Sequence, residues 1–112
     1  MAHNLNLMEG SIMTQAVHVV AVVTVTPEKA PELQGELTRC LRDTRKETGC
    51  VSYTISRDLE KIGRFTAVEE WASRGAFEEH LQTPHFQALA ALAQTLDAQL
   101  DLMQLQPLEA AP

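Results

Sequence analysis

The stretch AVHVVAVVTVT, residues 16–26, decides the fold. Val17, Val19, Ala21, Val23 and Val25 alternate with Val20 and Val22, so a strand through this segment is apolar on both faces. A strand of that kind is buried on two sides, and one layer of helices covers only one of them. Pro27 and Pro31 then mark a turn and a helix start, after which Leu33, Leu37, Leu41 and Thr44 recur at helical spacing up to Gly49. Gly49 reads as the C′ residue, which gives a helix from about residue 30 to 48.

The next segment, CVSYTISRD, sets Val51, Tyr53 and Ile55 against Ser52, Thr54 and Ser56, and GRFTAVEEW follows after a short charged turn. The two form a hairpin. Ser73 is a suitable N-cap for a short helix carrying Phe77 and Leu81. Thr83-Pro84 opens a second helical piece with Phe86, Leu89 and Leu96, and QLDLMQLQPL closes the chain as a strand. The order β-α-β-β-α-β is that of a ferredoxin-like α+β sandwich, with both helical segments on one face of an antiparallel sheet. Because the first strand is apolar on its other side too, the uncovered face is expected to pack against a second copy, making a homodimer.

The 112 residues make one domain. The domain spans 16–108, with 1–15 a flexible N-terminal tail or expression remnant holding three possible start methionines (Met1, Met8, Met13), and 109–112 a C-terminal tail. A net charge of −6 opposes contact with phosphate backbones, so nucleic acid is not an expected partner. No run approaches the roughly 20 apolar residues of a membrane span, and the expected location is cytoplasmic. Cys40 and Cys50 lack metal-site spacing and read as reduced core residues.

One segment is chemically dense. EEWASRGAFEEHLQTPHF, residues 69–86, holds the single Trp, two of three Phe and two of four His. Glu69 and Trp71 share a strand face, while Ala76, Phe77, His80 and Leu81 place His80 on or beside the apolar stripe of the following helix. A half-buried imidazole near a carboxylate suits proton transfer, although spacing alone favours His80 as a core-edge histidine bonded to a carbonyl or to Glu69. His85 falls in the first turn after Thr83. His80 and His85 as metal ligands would require a third partner, and no metal is assigned.

ETGCVSYTISRD, EEW and HLQTPHF together resemble the antibiotic biosynthesis monooxygenase superfamily, in particular its small quinol-monooxygenase-like members, over residues 17–107. The resemblance implies a dimeric α+β barrel and a pocket between sheet and helices. It also implies oxygenation of a small quinol- or phenol-type aromatic by O₂ without metal, flavin or other cofactor, the deprotonated substrate itself reducing O₂. On that reading His80 and Glu69 are catalytic, His80 as proton acceptor or relay, and Tyr53, Trp71, Phe77, His85 and Phe86 bind substrate. Haem-degrading relatives carry a His where this chain has QALAALAQ, around Ala90, and an Asn near Ala21, so haem degradation is not expected. An isomerase of a small phosphorylated signalling sugar is the alternative, although only scattered Arg57 and Arg64 are available for the phosphate. A non-catalytic small-molecule-binding or stress module is the third reading.

Overall fold

Alternation, caps and turns produce the expected order of elements in a computed structural model that describes residues 15–109. β1 is Val17–Thr24, α1 Ala30–Thr44, β2 Cys50–Arg57, β3 Arg64–Trp71, α2 Arg74–Leu81, α3 Pro84–Thr95 and β4 Gln99–Leu105. A single 3₁₀ turn, Pro27–Lys29, leads into α1. Most of the two tail assignments, 1–14 and 110–112, lies outside the described residues.

The four strands form one antiparallel sheet in the order β2-β3-β1-β4, so the strand that is apolar on both sides lies inside the sheet. Val17, Val19, Ala21 and Val23 face the helices. Beneath the helices, Val25, Ala30, Leu33, Leu37, Phe65 and Leu96 make one buried cluster, and Val19, Tyr53, Ala67, Trp71 and Phe77 make another. Completely buried Leu33 and Val19 each contribute roughly 1.5–3 kcal/mol through removal from water. On the opposite face the register aligns Thr54, Val68, Val20 and Met103 in a row across all four strands. Val68 and Met103 are about half exposed there, at 56% and 48%.

Local signals account for the helix ends. The Ser73 hydroxyl accepts from the Ala76 amide at 3.1 Å, and Thr83 Oγ1 accepts from the Phe86 amide at 3.3 Å, which satisfies amides that a helix start leaves without partners. α3 ends with Asp97 at φ 55° and the Ala98 amide donating to the Ala93 carbonyl, a Schellman closure in which Asp takes the left-handed position. Lys29 Nζ donates to the Leu96 carbonyl at 3.1 Å and adds a positive charge at that helix end.

α1 departs from expectation. It ends at Thr44, not near 48, and residues 45–49 turn back through Lys46 N–H to Asp43 and Glu47 N–H to Thr44 hydrogen bonds. Gly49 is not in the left-handed region, so it is not a C′ glycine. Its role is close approach, since a Cβ added there would collide with the Ala76 Cβ on α2. The glycine that does need a positive φ is Gly63, at 94° in the β2–β3 turn.

Candidate active site

The aromatic segment folds around one imidazole. The His80 ring centre lies 4.6 Å from that of Trp71, 5.1 Å from Phe86, 5.8 Å from Tyr53, 6.0 Å from His85 and 6.2 Å from Phe77. β3 contributes Trp71, β2 Tyr53, α2 Phe77 and His80, and α3 His85 and Phe86. Trp71, Phe77 and His80 are essentially inaccessible to solvent.

The carboxylate against His80 is not Glu69. His80 Nδ1 lies 2.7 Å from Glu47 Oε2, and His85 Nε2 lies 2.7 Å from the same oxygen. A carboxylate oxygen accepts, so both imidazoles donate to it, and His80 carries its proton on Nδ1. Glu69 Oε1 instead accepts from Trp71 Nε1 at 2.8 Å, because the two side chains project from the same face of β3. Nothing along the chain marks Glu47 as the partner of His80. It stands in the ETGC run beside Gly49, but its position inside an expected helix concealed that the chain turns there and delivers it to residues 33 and 38 positions away. Glu47, His80 and His85 offer ligand atoms within 4.8 Å of one another, so the third partner that a cation would require is present. Ligation would require both ring N–H protons to leave.

Between the two buried clusters lies a cavity of about 90 Å³. Its floor follows from register: Ala21 and Ala67 are paired on the two central strands, flanked by Leu102 and Ile55, and Ala90 and Ala93 of α3 lie over it. Small side chains at facing positions leave the space open. Tyr53, Glu69, Phe77, His80 and Phe86 line it, whereas Trp71 and His85 stand behind the wall. The mouth lies between α3 and β4, where Leu100 and Leu102 remain partly exposed.

Burial tunes the titratable groups of this wall. Desolvation pushes the Glu69 carboxyl up to about 7, opposed by the Trp71 hydrogen bond and assisted by the nearby charge of Glu47. Desolvation lowers the His80 pKa below its ordinary value; the Glu47 hydrogen bond and charge oppose that, and His85 adds to it. His80 is therefore neutral at pH 7. Burial also pushes the Tyr53 phenol up, which keeps it a hydroxyl. Neither the Tyr53 hydroxyl nor His80 Nε2 has a hydrogen-bond partner among the described residues, and neither is a sealed orphan, so both remain available to a guest.

A four-stranded sheet roofed on one face by helices, with an apolar cavity beneath them, defines a ferredoxin-like α+β protein. The chain belongs to the antibiotic biosynthesis monooxygenase family, whose model matches residues 16–92. YcnE of Bacillus subtilis, provisionally named a monooxygenase, is 30% identical over 84 residues, covering 74% of this chain and 88% of its own length. Rv0793 of Mycobacterium tuberculosis superposes with a TM-score of 0.78 at 28% identity, over 88% of this chain and 100% of its own. SnoaB of Streptomyces nogalater, a cofactor-independent oxygenase, shares the fold with a TM-score of 0.74 at 20% identity, over 88% of this chain and 98% of its own. The chain spans only 46% of the length of another relative, the uncharacterized protein sll1783 of Synechocystis, at 32% identity over 68 residues.

Proposed function

We propose that the protein is a cofactor-independent monooxygenase of small quinol- or phenol-type aromatics, working as a cytoplasmic homodimer. The observation that carries this reading is the unengaged His80 Nε2 on an aromatic-walled cavity. There a substrate hydroxyl can give up its proton to a base that is neutral at physiological pH. The resulting phenolate is electron-rich enough to reduce O₂. For a hydroquinone the balance is hydroquinone plus O₂ to hydroxyquinone plus water, with one oxygen atom entering the product and the substrate supplying every electron. Glu69, poised near pH 7, is the second group able to give or take a proton within the cavity. The provisional monooxygenase names of YcnE and Rv0793 and the oxygenase activity stated for SnoaB support the same reaction class.

Size favours one ring. A cavity of about 150 Å³ holds benzene, so the 90 Å³ enclosed here accepts a single ring only if part of it occupies the mouth between α3 and β4. The phosphorylated-sugar alternative finds no Arg or Lys among the lining residues. Arg57 and Arg64 line a separate groove with Lys61, and Arg64 is paired with Asp58 at 2.8 Å. The homodimer would bury the Thr54-Val68-Val20-Met103 row. Among the described residues no helix is long and apolar enough to cross a membrane, and Cys40 and Cys50 are free thiols, in keeping with a reducing compartment.

Oxygen-electrode traces with a panel of reduced one- and two-ring quinols, without added flavin or metal, test the assignment. Uptake of one O₂ per quinol consumed is expected, and Ala67→Leu, which fills the cavity floor, should abolish it. Substrate turnover without oxygen uptake, or dependence on an added cofactor, contradicts it.

A further inference from the structure

We infer that Glu47 and His85 are positioning residues that fix the tautomer of His80, forming with it a Glu-His-His assembly behind the cavity wall. The inference rests on the proposed role of His80 and adds two residues that the reaction reading does not contain. His85 thereby moves from substrate contact to support.

The geometry carries this. An imidazole that donates Nδ1–H to a carboxylate keeps its lone pair on Nε2, and His80 Nδ1 is engaged at 2.7 Å while Nε2 has no partner among the described residues. When Nε2 takes a proton, the ring becomes a cation whose charge lies against Glu47. Glu47 is itself held, through its backbone and through a second donor to its carboxylate. Its backbone is pinned by the Glu47 N–H to Thr44 and Cys50 N–H to Glu47 hydrogen bonds, at 3.0 and 3.1 Å. Its Oε2 receives the second proton donor, His85 Nε2, from the first turn of α3. Glu47 and His85 are only slightly exposed, at 16% and 17% of their side chains, and His80 at 1%, so the assembly grades from solvent to cavity. Two donors on one oxygen leave the carboxylate little freedom to rotate, and a base with a locked lone pair costs no reorganisation at the moment of proton transfer. The other titratable groups at this ring are Glu69 on β3 and Tyr53 on β2, neither of which bonds to it.

Glu47→Ala is the discriminating variant. A glutamine oxygen could accept both imidazole N–H groups as the carboxylate oxygen does, whereas alanine removes the acceptor and frees the His80 proton to move to Nε2, where the lone pair should be. Histidine-selective ¹⁵N NMR of the whole protein should show His80 with an unprotonated Nε2 in the wild type and a protonated Nε2 in Glu47→Ala. With a quinol that the wild type oxidises, kcat should fall by about 10²-fold in Glu47→Ala, and no further than in His80→Ala, while KM stays within about threefold. His85→Ala should lower kcat by a smaller factor, about tenfold, and His85→Gln, which restores a donor to Glu47, should recover most of it. This second pair keeps the question open to test if Glu47→Ala fails to fold. A wild-type His80 protonated on Nε2, an unchanged tautomer with unchanged kcat in Glu47→Ala, or ring signals that shift on adding a chelator would each overturn the inference. If no quinol is oxidised but the tautomers are as stated, the reaction assignment fails and the positioning assembly stands.

Discussion

Replacing Glu69 by Gln should change how the stability of the protein depends on pH, and the size of the change follows from the burial of one carboxyl. Glu69 is 4% exposed and its pKa is raised from 4.5 to about 7. Between those values the folded protein retains a proton that the unfolded chain has released, so stability falls as pH rises through the window, and the full loss is reached above pH 7. At 1.36 kcal/mol per pH unit the loss approaches about 3 kcal/mol, of which roughly 2–3 kcal/mol falls between pH 5 and pH 8. In Glu69→Gln the amide oxygen can still accept the Trp71 Nε1–H, but nothing titrates. The comparison is between slopes, so any constant cost of an amide at this position cancels. Thermal melts at pH 5 and pH 8 should show the difference in Tm between variant and wild type growing toward pH 8 by on the order of 10 °C. His80 acts in the opposite sense in both proteins: its depressed pKa means that stability is lost as pH falls below about 6.5. Parallel Tm–pH curves for wild type and Glu69→Gln would refute the assignment of a strained, buried carboxyl.

Val68→Asp should split the dimer while leaving the protomer folded, since Val68 is 56% exposed in the single chain and would be desolvated only by a partner; light scattering that still shows a dimer contradicts the packing proposed for the open sheet face. Gly49→Ala should cost about 1–3 kcal/mol by overpacking against Ala76, and pairing it with Ala76→Gly should restore most of the loss in a double-mutant cycle; additive losses in the cycle would contradict the contact.

The fold was readable because its signals are local. The two-faced apolar pattern of residues 17–25 places β1 inside the sheet, and Ser73 and Thr83-Pro84 mark the starts of α2 and α3 through hydrogen bonds made within three residues. The end of α1 is not legible locally, because Gly49 answers to Ala76, 27 positions away and on another element, and not to its own helix. The same long-range logic hid Glu47. Periodicity correctly turned His80 inward and set Glu69 beside Trp71, yet no periodicity tells which carboxylate a loop will bring to an imidazole. The cavity too was invisible along the chain, since it depends on Ala21 meeting Ala67 in strand register beneath Ala90 and Ala93. What chain order did carry was the concentration of rings in residues 69–86, five of whose side chains gather with Tyr53 around and including His80.

The central claim, that His80 is the proton acceptor of an oxygen-dependent reaction in this cavity, is tested most directly by His80→Ala, with steady-state quinol oxidation and thermal melting measured on the same preparation. The account predicts a loss in kcat of about 10²-fold or more in a protein that remains folded and keeps its assembly state. A variant destabilised by about 1–3 kcal/mol through the lost His80–Glu47 hydrogen bond, yet as active per folded molecule as the wild type, would make His80 a structural residue and contradict the account.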